Sequence, residues 1–198
     1  MNLTAGDITA LQDGRTKAWH ESEPSIAGEG LLRLAEENHW RNFALWHEED
    51  KARRDDMGAE YVYTAKRAID GYNQQRNNFI EKMDELLFGA LGPFAETLPM
   101  NSETPGMMID RLSILSLKRF HMWEETVRDD ADDAHIAACR HKLQVIEKQR
   151  GDLASALDAL LAEAGNGKRG FRVYYQFKMY NDPNLNPYLY QPSDRRAA

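Results

Sequence analysis

The sequence predicts an all-α fold: a helical bundle of about four long helices, with a short N-terminal helix and an extended, aromatic C-terminal arm. Two observations predict this class. The seven prolines leave two long stretches without proline, residues 25–92 and 106–182, and proline breaks a helix interior because it cannot donate a backbone hydrogen bond. Within both stretches, apolar residues recur three and four positions apart, which is the spacing along one face of an α-helix.

The first two helices lie on either side of Pro24. A short helix is predicted around residues 8–20, in an N-terminal segment 1–24 that precedes the bundle of residues 25–165. In the longer helix that follows, six residues recur at helical spacing: Leu31, Leu34, Asn38, Asn42, Leu45 and Glu49. Residues 55–58 are rich in types that favour turns, so we expect this helix to end before them.

The next two helices are predicted to carry the core. One apolar stripe connects Val62, Ala65, Ile69, Tyr72, Arg76, Ile80, Met83 and Leu87. The helix from about 105 to 127 is apolar almost all round, which is typical of a helix at the centre of a bundle. Either Ser102 or Thr104 can cap it, and Pro105 suits its first position.

The fourth long helix and the C-terminal arm complete the chain. The helix is predicted from Ile136, Leu143, Ile146, Leu153, Leu157 and Leu160, and it ends at a glycine-rich segment, residues 164–170. In the arm, residues 166–198, apolar and polar side chains alternate from Phe171 to Tyr180, the period of an extended strand. Because a disordered tail rarely carries so many aromatic residues, we expect the arm to lie across the bundle or across a second copy in a homodimer.

Charge, cysteine content and hydropathy exclude several classes of protein. The formal net charge is −7, and an acidic chain is poorly suited to bind the backbone of a nucleic acid. The single Cys139 excludes an intramolecular disulfide and a cysteine-based zinc site. No apolar stretch reaches the length of about 18 residues that predicts a membrane span, and the N-terminus lacks the pattern of a signal peptide. We therefore expect a cytoplasmic protein.

The charge is distributed unevenly along the chain. Residues 168–198 carry six Lys and Arg against two Asp and Glu, a net charge of +4, which leaves −11 for residues 1–167. An acidic bundle thus carries a basic, aromatic arm. We expect the arm to rest on an acidic face of the bundle, either its own or that of a second copy.

Polar residues interrupt three of the predicted apolar helices. They are Asn42, His47, Glu49 and Asp50 on the first long helix, Asp70, Asn73, Asn77 and Asp84 with the adjoining Arg76 and Glu81 on the second, and Asp110, Arg111, Ser113 and Lys118 on the third. Burying an unpaired charge is costly, so such groups are paired, solvated in a pocket or bound to a ligand. Because three helices contribute such groups, we predict that the groups share one polar pocket. Solvated helix faces, or a salt-bridge network inside the bundle, would explain the same pattern.

Patterns for metal binding and nucleophilic catalysis are incomplete. His47 and Asp50 can share a helix face, but the chain lacks the paired Glu-x-x-His motifs of di-iron bundles and the His-Glu-x-x-His motif of zinc proteases. We therefore assign no metal ligands. Glu81 and Asp84 have the spacing of half the carboxylate pattern with which all-α nucleotide pyrophosphohydrolases hold Mg²⁺. Cys139 is expected to be a buried structural thiol.

The N-terminus of the central helix is a second candidate site. A cap and Gly106 at this position can present free N–H groups to an anion, with Glu103 beside them and Arg111 close behind. An ordinary helix cap would explain the same residues.

Four segments of the chain resemble a bacterial family, the domain of unknown function 4254. They are LWHEED at residues 45–50, IDGYNQQRNN at 69–78, SETPGMMIDRLSILSLK at 102–118 and FKMYNDPNLNP at 177–187. The resemblance spans roughly residues 30–190. It implies a small cytoplasmic protein whose gene often neighbours those of glycosyltransferases that build cell-surface polysaccharide, and no reaction is established for the family.

The polar residues and the resemblance together lead to the hypothesis of a protein that binds a sugar phosphate or a nucleotide sugar and assists cell-envelope glycan synthesis. The candidate ligand-binding residues are Glu49, Asp50, Asp70, Asn73, Arg76, Asn77, Glu103, Asp110, Arg111, Lys118 and Lys178. In a catalytic site, the general base would be His47, Asp70 or Asp110. Two alternatives stay open: a non-catalytic scaffold that docks a glycosyltransferase through its arm, and a Mg²⁺-dependent nucleotide pyrophosphohydrolase.

Overall fold

A computed structural model describes residues 3–179 and 182–190 and confirms the all-α bundle. Its helices are α1 (Ala5–Glu21), α2 (Gly30–Lys51), α3 (Ala59–Leu91), α4 (Pro105–Thr126), α5 (Asp133–Gly165) and the short α6 (Pro187–Tyr190). A 3-10 turn, Asp55–Met57, joins α2 to α3, and two short strands, β1 (Met100–Asn101) and β2 (Gly170–Phe171), pair in parallel. Residues 180, 181 and 191–198 of the predicted arm lie outside the described residues.

The N-terminal helix is longer than predicted and shares the core of the bundle. α1 begins at Ala5, because Thr4 and Asp7 form a capping box that satisfies two of the free N–H groups at the helix start. Thr4 Oγ1 accepts from the Asp7 N–H at 3.2 Å, and the Asp7 carboxylate accepts from the Thr4 N–H at 2.8 Å. Ala5 and Ile8 are buried in the main core, and α1 contacts α2, α4 and α5.

α4 is the central helix, as its nearly continuous apolar surface predicts. It contacts each of α1, α2, α3 and α5, and Ile109 and Leu112 on it are fully buried. Of the two predicted caps, Thr104 is the one used: its Oγ1 accepts from the Met107 N–H at 3.2 Å. The main core takes buried residues from all five long helices, and a second cluster around Trp19 and Phe43 lies between α1, α2 and α4, which contributes Leu117. None of the described helices is long and apolar enough to cross a membrane.

The first turn of α4 approaches α3 so closely that only glycine fits at position 106. A Cβ atom there would lie 2.5 Å from the carbonyl oxygen of Ile80 and 2.8 Å from Oδ1 of Asp84. The Gly106 N–H donates to Asp84 Oδ1 at 2.6 Å, and the Thr104 hydroxyl donates to Asp84 Oδ2. The carboxylate of Asp84 is therefore the anion that occupies this helix N-terminus.

The C-terminal arm lies along α3 of the same chain. The Tyr175 hydroxyl donates to Glu85 Oε1 at 3.1 Å, and the Gln176 N–H donates to Glu81 Oε1 at 2.9 Å. The arm thus contacts two acidic residues of its own bundle, through a tyrosine hydroxyl and a backbone N–H. The predicted strand is limited to Gly170–Phe171, because a strand needs a partner for its backbone groups and β1 is only two residues long.

Candidate functional site

A pocket of about 340 Å³ lies between α2, α3 and α4. α2 and the turn after it contribute Asn42, Leu45, Trp46, Glu49, Asp50 and Arg53, α3 contributes Asn73 and Arg76, and α4 contributes Ile114 and Leu117. Helical periodicity explains the grouping, since residues three and four apart lie on one face. The pocket therefore has an apolar wall, built from leucine, isoleucine and tryptophan side chains, and a polar rim.

The polar rim combines guanidinium, carboxylate and amide groups. Arg53 Nη1 lies 2.8 Å from Glu49 Oε2, and Arg76 Nη1 donates to Asn73 Oδ1 at 3.4 Å. Asp50 adds a second, exposed carboxylate. Both guanidinium groups are thus held next to oxygen acceptors while part of each side chain stays in contact with solvent.

A buried polar network centred on Asp110 supports the wall of the pocket. Arg76 Nε lies 2.9 Å from Asp110 Oδ1, and the same oxygen accepts from Asn38 Nδ2 at 3.0 Å and from Asn42 Nδ2 at 2.9 Å. Asp110 is only 3% exposed, and a carboxylate at such a position needs charged and hydrogen-bonding partners. Asn42 Nδ2 also lies 2.9 Å from Ser113 Oγ, so the network continues along α4.

The network crosses the bundle through His39. Its Nδ1 lies 2.7 Å from Ser113 Oγ and its Nε2 lies 2.9 Å from Thr16 Oγ1. Burial, reinforced by the positive charge of Arg150, lowers the pKa of His39 to about 3, so the ring is neutral at pH 7. The Thr16 hydroxyl donates to the Gln12 carbonyl oxygen at 2.9 Å. It therefore accepts from Nε2–H of His39, and Nδ1 accepts from the Ser113 hydroxyl.

Glu36 and His39 have the Glu-x-x-His spacing, but both are engaged by protein groups. Both residues are fully buried. Glu36 Oε2 accepts from the N–H groups of Ala27 and Gly28 at 3.0 Å and 2.8 Å, and its other oxygen pairs with Arg15. Glu36 thus fixes the segment between α1 and α2 rather than facing a site.

Three histidines from α1, α2 and α4 meet beside the pocket. The ring centroid of His20 lies 5.2 Å from that of His47 and 5.1 Å from that of His121, and the last two are 6.0 Å apart. No local spacing predicts this cluster, because the three residues lie far apart along the chain. Burial, followed by the neighbouring rings of His20 and His121, lowers the pKa of His47.

The pocket brings together four of the predicted ligand-binding residues: Glu49, Asp50, Asn73 and Arg76. Asp110 lies behind its wall as the partner of Arg76. Lys178 of the arm is not part of the lining; burial and the positive charge of Arg76 lower the pKa of its ammonium group.

The other predicted residues lie elsewhere. Asp70 is exposed and its carboxylate is 3.6 Å from Arg67, and Asn77 is half-buried on α3 outside the lining. Glu103 and Arg111 form an ion pair at the start of α4, and Lys118 shares with Arg111 a separate depression between α4 and α5. Of the candidate bases, His47 belongs to the histidine cluster, while Asp70 and Asp110 are not part of the lining.

The carboxylates of the Glu81-x-x-Asp84 pattern both accept hydrogen bonds from the protein. Glu81 accepts from Gln176, and Asp84 accepts from Thr104 and Gly106. Burial raises the pKa of Asp84 to about 6, although these hydrogen bonds act in the opposite direction. The structure thus gives Asp84 a role in joining α3 to α4.

Sequence reasoning missed several residues of the pocket. Trp46 directly precedes His47, a predicted site residue, but an aromatic residue at helical spacing is more typical of a core than of a binding site. Arg53 Nη1 lies 2.8 Å from Glu49 Oε2. Arg53 follows Glu49 by four residues, and this spacing was the signal that could have indicated Arg53 as a site residue. Ile114 and Leu117 carried no signal beyond apolarity.

The comparison with known proteins identifies a family. The model of the family described as protein of unknown function (DUF4254) matches residues 32–173. The matched range contains three of the four segments noted in the sequence and ends before the fourth, residues 177–187. No curated protein and no solved structure matches the chain. Because the matched range covers most of the chain, the protein belongs to the DUF4254 family of proteins of unknown function.

Proposed function

We propose that the protein binds a phosphorylated sugar in the pocket between α2, α3 and α4 and assists the synthesis of cell-surface glycans. The observation that carries the proposal is the meeting of Trp46 with carboxylate, amide and guanidinium groups around one pocket. A tryptophan ring offers a large apolar surface for the face of a sugar. Carboxylates and amides hydrogen-bond hydroxyl groups, and guanidinium groups bind phosphate.

The origin of the lining residues supports a ligand site. Three of the four segments on which the family resemblance is based contribute to it: residues 45–50, 69–78 and 102–118. These segments are distant in sequence and lie on three different helices. Their convergence on one pocket is the arrangement that a binding site requires.

Size and charge narrow the class of ligand. The pocket volume of about 340 Å³ lies at the lower end of the range of about 300–1,000 Å³ typical of ligand sites. Its two arginines face two carboxylates, and Asp110 lies behind Arg76. The balance of charge therefore favours a single phosphate over a diphosphate. A sugar monophosphate fits these limits better than a nucleotide sugar does.

Replacing Arg53 by alanine is expected to weaken the binding of a hexose 1-phosphate by about tenfold or more. A hydrogen bond to a charged group contributes about 1.5–3 kcal/mol, and 1.4 kcal/mol corresponds to about a factor of ten in affinity. Isothermal titration calorimetry would compare hexose 1-phosphates, free hexoses and nucleoside-diphosphate hexoses. Affinity for the free hexose is expected to stay unchanged in this variant, because it has no phosphate.

Arg111→Ala is the matched control for Arg53→Ala. Both arginines are more than half exposed, and each forms an ion pair with a glutamate. Arg111 lies outside the pocket, so its replacement is expected to leave the affinity unchanged. An equal loss in both variants, or no binding of any of the three ligand classes to the wild type, would contradict the proposal.

A scaffold role is the second candidate, and the exposed apolar side chains of the C-terminal segment favour it. Phe177 is 79% exposed, and Met179, Leu185 and Leu189 are each at least 50% exposed. Clustered exposed apolar residues are typical of a surface that contacts another protein. In this hypothesis the arm docks a glycosyltransferase or a second copy of the chain in a homodimer.

The double variant Phe177→Ser, Leu189→Ser tests the homodimer. Light scattering is expected to give the mass of a dimer for the wild type and a monomer for the double variant, because two apolar contacts are lost. Met57→Ser is the control, since Met57 is similarly exposed, at 52%, but lies in the turn between α2 and α3. A monomeric wild type would contradict the dimer.

A further inference from the structure

We propose that His20, His47 and His121 bind one divalent transition-metal ion, of the class that includes zinc, next to the pocket between α2, α3 and α4. The potential ligand atoms of the three side chains all lie within 4.8 Å of one another. In a tetrahedral zinc site with metal–nitrogen distances of about 2.0–2.1 Å, the nitrogens are about 3.4 Å apart. Small rotations of the three side chains would therefore close the cluster around an ion.

The hydrogen bonds of two of these histidines use Nδ1 and leave Nε2 available to bind a metal. His20 Nδ1 lies 2.7 Å from the carbonyl oxygen of Thr16, and His121 Nδ1 lies 2.8 Å from Glu124 Oε2. Each Nδ1 must carry the proton because both partners are acceptors. In the neutral rings, Nε2 then carries a free lone pair. Metal-binding histidines typically donate their other N–H to a carbonyl or a carboxylate in this way.

His121 provides the most direct indication of a missing ligand. Its Nε2 atom is buried and has no hydrogen-bond partner within the described part of the chain. A buried acceptor without a partner is unfavourable, and buried polar atoms are rarely left in this state. A metal ion bound by Nε2 would satisfy it.

Aromatic side chains pack against each of the three rings. Phe120 stacks on His20 at 4.5 Å between ring centroids, Trp46 stacks on His121 at 4.6 Å, and Phe43 lies edge-on to His47 at 4.6 Å. This packing fixes the orientation of the ligands, while the exposed His20 leaves the cluster open to ions from solvent. Imidazole ligands suit zinc, copper, nickel and iron rather than Mg²⁺ or Ca²⁺. Three protein ligands leave a fourth coordination position for water or another molecule.

A second group, Glu125, His135 and Cys139, is less suited to bind a metal. Its possible ligand atoms also lie within 4.8 Å of one another. However, His135 Nε2 is itself hydrogen-bonded to Glu125 Oε2 at 2.9 Å, and Arg128 donates to the same oxygen at 3.0 Å. The carboxylate is therefore already neutralised by protein groups.

Zinc titration of protein without a polyhistidine tag tests the proposal. Calorimetry is expected to give one Zn²⁺ per chain, and Co²⁺ is expected to give the intense visible absorption of a four-coordinate site. His121→Ala is expected to lower the affinity for Zn²⁺ at least about tenfold. His141→Ala is the control, because His141 is exposed on α5 and belongs to neither group. Its affinity is expected to equal that of the wild type.

Glu124→Ala is a second test that does not depend on the folding of a histidine variant. Glu124 is half exposed, at 47%, and alanine removes the acceptor of His121 Nδ1–H, so binding is expected to weaken about 10- to 100-fold, as for other groups that orient a metal-binding histidine. Unchanged affinity in this variant would overturn the proposal. The absence of Zn²⁺ binding to the wild type would also overturn it, as would a loss of affinity in His141→Ala equal to that in His121→Ala. Binding that is lost in His135→Ala but kept in His121→Ala would place the ion at the second group and would overturn it as well.

Discussion

Replacing Asp110 by alanine is expected to lower the free energy of unfolding by about 3–5 kcal/mol. The carboxylate is 3% exposed, pairs with Arg76 at 2.9 Å and accepts from Asn38 and Asn42. Its removal leaves a partly buried guanidinium group and two buried amides without their acceptor, which is more costly than the loss of an exposed pair. Urea unfolding at pH 7 measures the change, with an unchanged m-value as the sign of two-state behaviour.

Asp70→Ala is the matched control for this prediction. Asp70 is also a predicted site residue, but its carboxylate is 53% exposed and lies 3.6 Å from Arg67. A surface pair of this kind contributes about 0–1 kcal/mol, so we expect little change. A loss at Asp110 no larger than the loss at Asp70 would contradict the role of Asp110 as the centre of a buried network.

The helices were predictable from sequence because their signals are local. Proline positions and the spacing of apolar residues depend only on the geometry of one helix, and the apolar surface of α4 alone indicated its central place. The arm was harder, since alternation of side chains predicts a strand only where a partner strand exists. β1 offers two residues, so pairing stops at Phe171.

The polar residues of the three helices divide between a pocket and a buried network, the two arrangements that their pattern in the sequence left open. Polar residues on three apolar helices indicated that their side chains would meet, and Glu49, Asn73 and Arg76 do line one pocket. Periodicity gives the face of a helix on which a residue lies, but not which turn of that face meets a neighbouring helix. Asp70 is therefore exposed, although it lies one turn from Asn73.

Contacts that form only in the tertiary structure could not be predicted from the sequence. Glu81 and Asp84 have the spacing of half a metal motif, yet Asp84 caps α4, because the close approach at Gly106 brings the two helices together. The cluster of His20, His47 and His121 forms only when α1, α2 and α4 are assembled. Neither arrangement leaves a pattern within a single helix.

Acidification from pH 7 to pH 5 is expected to destabilise the protein through His39 by about 2 kcal/mol. The pKa of His39 is lowered to about 3 in the folded state from its ordinary value of 6.5, because the ring is buried. Between these two values the unfolded chain binds a proton that the folded chain does not bind. The free energy of unfolding therefore falls as the pH falls, by about 1.4 kcal/mol per pH unit.

Asp84 affects the pH dependence of stability in the direction opposite to that of His39. Burial raises its pKa to about 6 from an ordinary value of 3.8. Between these values the folded chain keeps a proton that the unfolded chain has released, so acidification stabilises the folded state. Between pH 6 and pH 5 the contributions of Asp84 and His39 nearly cancel. The wild type is thus expected to be less sensitive to acid than either group alone would make it.

Unfolding measured at pH 7, 6 and 5 in two variants separates the two groups. Asp84→Asn keeps an acceptor for Gly106 and a polar partner for Thr104 but cannot titrate, so its stability is expected to fall about 1 kcal/mol further than that of the wild type between pH 6 and pH 5. His39→Gln removes the other titration, and its stability is expected to fall less than that of the wild type over the same interval. All other titrating groups are the same in the wild type and the two variants, so their contributions to the pH dependence cancel when the stabilities are compared. Parallel curves for the wild type and Asp84→Asn would mean that Asp84 is already ionised in the folded state at pH 5, because its contacts with Thr104 and Gly106 outweigh its burial.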